Sequence, residues 1–503
     1  MLKLEPSTFE QFEREAQRGN VVPVVRSVLA DLQTPVSAFM LIGGDAPYAF
    51  LLESIEGGER LARHSFLGAN PWMVVRGSGS GTTIERHGAT EFREHQNAIE
   101  FVREYFSRQH LARRPGLAPL SGGAVGYLAY DAAAWFEPVL AHENQGQAGS
   151  DDSVWMFYRT LLAFDRVRQQ IEITAVVLTD ESEGNRSRLR DLYDQAVAET
   201  ERMAKLLTGG VATPATSGTR SAKSRGEVFT SSWPQTDFER AVKKVQDYIA
   251  AGDCYQAVIS QQFTKPSAAD PLLVYRALRA TNPAPYMYFL RMGAETIIGA
   301  SPELLVRCHG QRLDYRPIAG TRKRGATEAE DWMLGEEMRT DEKEVAEHTM
   351  LVDLGRNDLG RVSDYGSVQV EDLMSIERYS QVQHLVTSLR SRLRDGLDRF
   401  DALASCFPAG TVTGAPKIRA MEIIRELEPV PRGVYAGAVL YADYAENLDS
   451  CIAIRTMVLR DGIATVQAGA GIVADSVPVR EYEESVNKAQ ALFRAIEMAE
   501  NGL

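Results

Sequence analysis

The sequence predicts an α+β protein, and three observations predict it. Short apolar or alternating runs, broken by glycine and proline, fill most of the first 205 positions. Two long stretches, from Arg186 and over 237–251, carry apolar residues at the helical period. No repeat of fixed length runs through the chain, which sets aside solenoids and propellers.

Taken in order, Phe9, Phe12 and Ala16 fall on one face of a first helix. YAFLLES, residues 48–54, alternates like a strand. HSFLGANP, WMVVRG, GAVGYLAYD, VWMFYRTLLAFDR and QIEITAVVLT follow as further short strands. RSRLRDLYDQAVAETERMAKLL is an amphipathic helix that closes a first region, 1–205. TGGVATPATSGTRSAKSR then has too few apolar side chains to bury a core, so 206–228 is expected to be a flexible linker. The second region, 229–503, opens with the 237–251 helix, where Phe238, Val242, Val245 and Ile249 share a face. A strand CYQAVISQQF follows, with Tyr255, Ala257 and Ile259 alternating with Gln256, Val258 and Ser260.

At 503 residues the chain has room for two or three domains, and its 44% hydrophobic and 24% charged content is that of an ordinary globular protein. A net charge of -13 and a pI near 5.3 argue against a nucleic-acid or anionic-membrane surface, so an anionic substrate needs a local site. Cys254, Cys308, Cys406 and Cys451 are scattered without a Cys-x-x-Cys pair and read as reduced thiols. None sits in the glycine elbow that a glutaminase nucleophile needs. MLKLEPSTFEQFEREA lacks a signal-peptide core and no apolar run reaches membrane length, so a cytoplasmic protein is expected.

The stretch 341–361, DEKEVAEHTMLVDLGRNDLGR, carries the chemistry. It starts on a helix-capping acid, spaces Glu344, Glu347 and Leu351 three and four apart, and is expected to stop at Gly355. Glu344 and Glu347 then share a face. One such pair alone is most simply a solvated acidic surface. Glu481 and Glu484, in REYEESVNKAQALFRAIEM, repeat the spacing, and two Glu-x-x-Glu helices facing each other would share a hard cation such as Mg2+. A ferritin-like di-iron site fails because Val345 stands three residues before His348, and a zincin fails for want of His-Glu-x-x-His.

Two glycine stretches bear on anion binding. GAGIVA, 469–474, matches a dinucleotide fingerprint, but Asp475, Ser476 and Pro478 intervene where a helix would have to begin, so only exposed backbone N–H groups are retained from that reading. FPAGTVTGAPKIRAMEIIREL places Pro416 at a helix start after Gly410 and Gly414 and lacks the Gly-Lys-Ser/Thr ending of a phosphate loop. A plain loop and cap explains it as well as an anion site does.

With SPEL, PIAGT, the acidic helix, FPAGTVTGAPK, IAIRT, GAGIVADS and EYEESVNKA in this order, the chain resembles the chorismate-utilising enzymes, and among them the component I subunits of anthranilate synthase. The resemblance implies two antiparallel sheets packed face to face with helices outside, the N-terminal half intertwined with the catalytic half. It implies Mg2+ on Glu347 and Glu484, with Glu344 and Glu481 beside it. Tyr435, Arg455 and the amides of Gly469, Ala470 and Gly471 would hold the enolpyruvyl carboxylate, with Gly320 and Thr321 lining the pocket and Lys488 behind Glu484. Glu303 of SPEL would be the general acid, and His384 would assist the proton transfer that accompanies pyruvate loss. Isochorismate-forming members carry a water-activating lysine where Gln256 stands. Aminodeoxychorismate synthases carry a nucleophilic lysine where Ala319 stands. Both differences point to direct amination by ammonia followed by pyruvate elimination to anthranilate, the first step of tryptophan biosynthesis.

By the same resemblance, Leu52, Glu53 and Ser54 with Pro285, Tyr286 and Met287 form a tryptophan inhibition site between the halves, and a separate glutamine amidotransferase subunit supplies the ammonia. Two other readings stay open. One is an aminodeoxyisochorismate synthase that omits elimination, and the other is a non-catalytic subunit that senses tryptophan.

Overall fold

The computed structural model describes residues 3–55, 63–141, 151–209, 228–379 and 382–502. Their strands form a 13-stranded, an 11-stranded and a 3-stranded sheet, and every pair of named strands is antiparallel. The α+β expectation therefore holds.

Both large sheets draw on both halves of the chain. Tyr48–Glu53 pairs with Tyr286–Met292 in the larger sheet, and Gly123–Leu128 pairs with Ala438–Asp443 in the other. Phe50, Tyr288 and Leu290 from one sheet meet Val125, Met156 and Val439 from the other in a shared apolar layer. Helices cover the outer faces. Pro35–Gly43, Pro271–Thr281 and Pro478–Asn501 bury Phe39, Tyr275, Leu492 and Ile496 against the larger sheet, and Ala98–Ser107 and Arg399–Cys406 bury Phe101, Phe106 and Phe400 against the smaller. The helix expected from Phe9 and Phe12 runs Phe9–Ala16, and that expected over 237–251 runs Gln235–Ala251.

Three boundaries differ from expectation. VWMFYRTLLAFDR is two strands, Ser153–Tyr158 and Thr160–Asp165, which belong to different sheets, and the chain crosses at Arg159 with its guanidinium 4.6 Å over the Trp72 ring. The helix from Arg186, read as ending at Leu207, continues to Gly209, past the region boundary placed at 205, and positions 210–227 of the expected linker lie outside the described residues. The acidic helix does not stop at Gly355. It spans Glu342–Gly360, because Gly355 is there for packing: a Cβ at this position would lie 2.5 Å from the Tyr315 ring. Its start is as expected, with the Asp341 carboxylate accepting the N–H groups of Lys343 and Glu344. Among the described residues no helix is long and apolar enough to cross a membrane.

Candidate active site

Glu303 is the most perturbed acid in the second half of the chain. It follows the strand Glu295–Ser301, lies 6% exposed, and donates its N–H to Ser301 Oγ at 3.3 Å. Burial pushes its carboxyl up to about 8, opposed only by the Thr411 hydroxyl and the charge of Lys488. It is therefore a neutral acid at pH 7, held close to Lys488.

Lys488 connects this acid to the carboxylates. Its Nζ donates to the Gly469 carbonyl at 3.0 Å and pairs with Glu484 at 2.7 Å, one turn earlier on Pro478–Asn501. Glu484 acts in turn on Glu347, whose carboxyl is raised by burial first and then by Glu344 and Glu484. Glu481 is raised by burial first, with Glu484 adding to it. Across the gap between the two helices Glu347 thus feels the charge of Glu484, and carboxylates raised in this way are the donor chemistry a hard divalent cation fits. As the side chains stand, Arg322 holds Glu344 at 2.8 Å and Lys488 holds Glu484. Among the described residues no three acidic, histidine or cysteine side chains close on a single point.

Arg455 lies beside this gap. It precedes the strand Thr456–Arg460 with a left-handed backbone, φ +51°, and donates to the Lys488 carbonyl at 3.0 Å. Arg455, Glu484 and Lys488 line one cavity of about 320 Å³. Burial pulls the Arg455 guanidinium down, while Tyr435 and Glu484 favour its charge. Tyr435 is itself buried, its phenol pushed up to about 12.

Gly469, Ala470 and Gly471 are not a loop but the end of the strand Ile463–Ile472, paired with Ser260, Ile259 and Val258. The Ser260 N–H goes to Glu428 and the Val258 carbonyl to Arg432, so these two form non-hydrogen-bonded pairs with Gly469 and Gly471. The two glycines consequently turn their N–H groups toward the Lys488 side. Ala470 is a correction: its N–H faces Ile259 across the ladder and is not available to an anion. Gln256, 6% exposed, lies against Gly471, where a Cβ would come within 2.4 Å of its amide nitrogen.

The small sheet supplies the remaining wall. His384, on Val382–Val386, sets Nδ1 2.8 Å from the Gly320 carbonyl and 3.2 Å from Thr321 Oγ1. A carbonyl can only accept, so Nδ1 carries the proton and Nε2 is left as a free base. Burial pulls the imidazole below its ordinary value, against the bond to Gly320, and the nearby Arg455 pulls it lower still. Gly320 has φ +61° and leaves no room for a side chain, since a Cβ would sit 3.0 Å from Glu344 Oε2.

A second cavity, of about 220 Å³, gathers Leu52, Glu53, Ser54, Pro285, Tyr286 and Met287, as expected. The strand register sets Glu53 opposite Met287. The Glu53 carboxylate is fully buried and accepts from Tyr275 Oη at 2.6 Å and Arg279 Nε at 2.9 Å. Arg307, Tyr441 and Asp449 form the facing wall, and among the described residues the buried Ser54 hydroxyl has no hydrogen-bond partner.

The sequence profile of the chorismate binding enzymes matches residues 49–494. The chain belongs to the chorismate binding enzyme family. Among members of that family it is 45% identical to anthranilate synthase component 1 of Acetivibrio thermocellus and 44% identical to that of Pseudomonas aeruginosa, covering 98% of this chain in both alignments and 98% and 99% of the two relatives. The crystal structure of anthranilate synthase component I from Streptococcus pneumoniae superposes with a TM-score of 0.72 at 35% identity, over 92% of this chain and 98% of that one. The menaquinone-specific isochorismate synthase MenF of Escherichia coli, at 18% identity and a TM-score of 0.66, shares the fold.

In this chorismate binding enzyme, several residues close to the site escaped sequence reading. The buried Thr411 hydroxyl lies near Glu303, and Arg322 holds Glu344 while reaching Asp341 at 3.4 Å. The basic run TRKR beside PIAGT was the available signal for Arg322. Nothing local marks Thr411 or the buried pair of Glu428 and Arg432.

Proposed function

We propose that this chain is the component 1 subunit of an anthranilate synthase, joining ammonia to chorismate and expelling pyruvate. The observation that carries the reading is Glu303, a buried and neutral carboxyl at pH 7 placed next to a cationic and amide-lined pocket. Glu303 gives its proton to the departing ring hydroxyl, which leaves as water while ammonia adds to the ring carbon next to the carboxylate and the double bonds shift. The new ammonium returns one proton to Glu303. His384 Nε2 then takes the proton on the aminated carbon. The electron pair aromatises the ring, the ether C–O bond breaks, and enolpyruvate leaves and is protonated to pyruvate. Arg455, Tyr435 and the Gly469 and Gly471 amides hold the enolpyruvyl carboxylate. Gln256 is neutral and offers no base to activate water, which favours ammonia.

Glu347 and Glu484, with Glu344 and Glu481 beside them, would hold Mg2+, which supplies charge neutralisation for the ring carboxylate. Four buried free cysteines agree with a cytoplasmic enzyme. Ammonia comes from a separate glutamine amidotransferase subunit. The purified chain with chorismate, Mg2+ and ammonium should develop anthranilate fluorescence, and with glutamine in place of ammonium it should not. Absence of product with ammonium would overturn the reading, and chromatography would reveal an unaromatised amine if elimination were missing.

The second cavity is read as a tryptophan site whose occupation favours an inactive arrangement. Ser54→Phe fills it from one wall. The expected result is a rise in the inhibiting tryptophan concentration of at least about tenfold, within the usual range of allosteric coupling, with an unchanged uninhibited rate. An unshifted inhibition curve removes Ser54 from the site.

A further inference from the structure

The strand Gln256–Pro266 has an uncovered edge. On this edge two-residue strands pair with Gln256 and Ala257 at one end and with Phe263 and Thr264 at the other, and among the described residues no strand pairs there with the stretch between them. One buried ion pair fills that gap. Arg432, its side chain 1% exposed, grips Glu428 through Nε at 2.9 Å and Nη2 at 2.6 Å. Glu428 accepts the Ser260 N–H at 2.8 Å, and Arg432 Nη2 donates to the Val258 carbonyl at 2.7 Å.

The same guanidinium reaches two other segments. Its Nη1 donates to the Val412 carbonyl at 2.7 Å, one residue after Thr411, whose buried hydroxyl lies near Glu303 but has no hydrogen-bond partner among the described residues. Its carbon lies 5.5 Å from the Tyr435 ring centre and 4.7 Å from that of Tyr130. Glu428 also holds Ser260 Oγ at 2.9 Å, and that hydroxyl accepts from Gln467, two residues before Gly469.

We propose that Arg432, seated by Glu428, is a positioning residue for amination, fixing the strand of Gln256, the Thr411 turn against Glu303, and Tyr435 relative to one another. The inference rests on the anthranilate synthase reading above. The fork geometry is what makes arginine suited to it, because three separate segments are held by one rigid plane. Taking two charges out of water gains little stability, and a buried pair replaced by apolar groups of similar volume often leaves a protein folded. What such a replacement cannot keep is the three-way alignment.

The test is the double variant Glu428→Met/Arg432→Met in the full chain, with thermal unfolding, chorismate and ammonium kinetics, and the pH profile measured together. The expected result is a folded protein whose kcat falls about 100-fold, the loss that a displacement of order 1 Å produces. The alkaline limb of its profile should move as the segment carrying Thr411 shifts beside Glu303. A folded double variant with wild-type kcat and an unmoved limb overturns the proposal. Should the double variant fail to fold, Arg432→Lys keeps the charge and loses the fork: a lowered kcat in a fully folded sample supports positioning, and a rate that tracks only the folded fraction overturns it. Wild type assayed alongside separates the two levels, since a wild type that makes no anthranilate refutes the function, while chorismate affinity by calorimetry, weakened through Tyr435 in the variants or unchanged, still decides the role of Arg432.

Discussion

Glu303→Gln should abolish anthranilate formation while making the protein more stable at neutral pH. The loss is expected at 10²- to 10⁴-fold in kcat, the usual contribution of a positioned general acid. The stability gain follows from the sign of the pKa shift. Below the ordinary carboxyl value of 4.5 the group is protonated whether folded or unfolded. Between 4.5 and about 8 the unfolded chain releases the proton and the folded chain keeps it, so wild-type stability falls as pH rises through that window and levels off above it. Glutamine has no proton to release and removes this slope. Paired thermal melts at pH 5 and pH 8 should show the variant's advantage growing with pH. The wild-type rate should decline above about pH 8 as the acid form is lost. A variant with a wild-type rate, or a wild type without an alkaline limb, rules out Glu303 as the proton donor.

The second large effect is on folding. Glu428→Ala leaves the Arg432 guanidinium buried with no counter-charge and strips the Ser260 N–H of its acceptor. Breaking a buried pair from one side costs about 3 to 5 kcal/mol. That is a large part of the 5 to 15 kcal/mol that typically holds a domain together. Urea unfolding should show the unfolding free energy extrapolated to water falling by this amount, with the midpoint lowered in proportion. A loss below about 1 kcal/mol would mean that water reaches the guanidinium and that the pair is not sealed.

How far the sequence was legible follows from the range of each interaction. The helix around Phe9 and Phe12, the helix start at Asp341 and the strand read over 48–54, observed as Tyr48–Glu53, are set by neighbours a few residues apart, and they were read correctly. Gly355 was misread because a glycine in a helical pattern looks like a stop when its packing partner, Tyr315, is 40 residues away. The crossing at Arg159 was invisible for a similar reason, since both flanking runs are strands and only the tertiary fold assigns them to different sheets. Within the candidate site, the two Glu-x-x-Glu pairs were legible from their short spacing, whereas Glu303 and Arg455 were singled out only through the resemblance. The orientation of Gly469 and Gly471, and the misassigned amide of Ala470, depend on the register against Val258 and Ser260, more than 200 positions earlier.

The order of strands in the larger sheet carries a consequence for how the protein is made. Thr456–Arg460 and Ile463–Ile472 sit in its interior, between Glu295–Ser301 and Gln256–Pro266. During translation the earlier strands wait with unpaired edges until nearly the whole chain has left the ribosome, and pairings this distant form slowly. Nascent chains stalled before residue 456 should therefore engage chaperones or aggregate, and fragments cut near 228 should regain solubility only when both pieces are produced together.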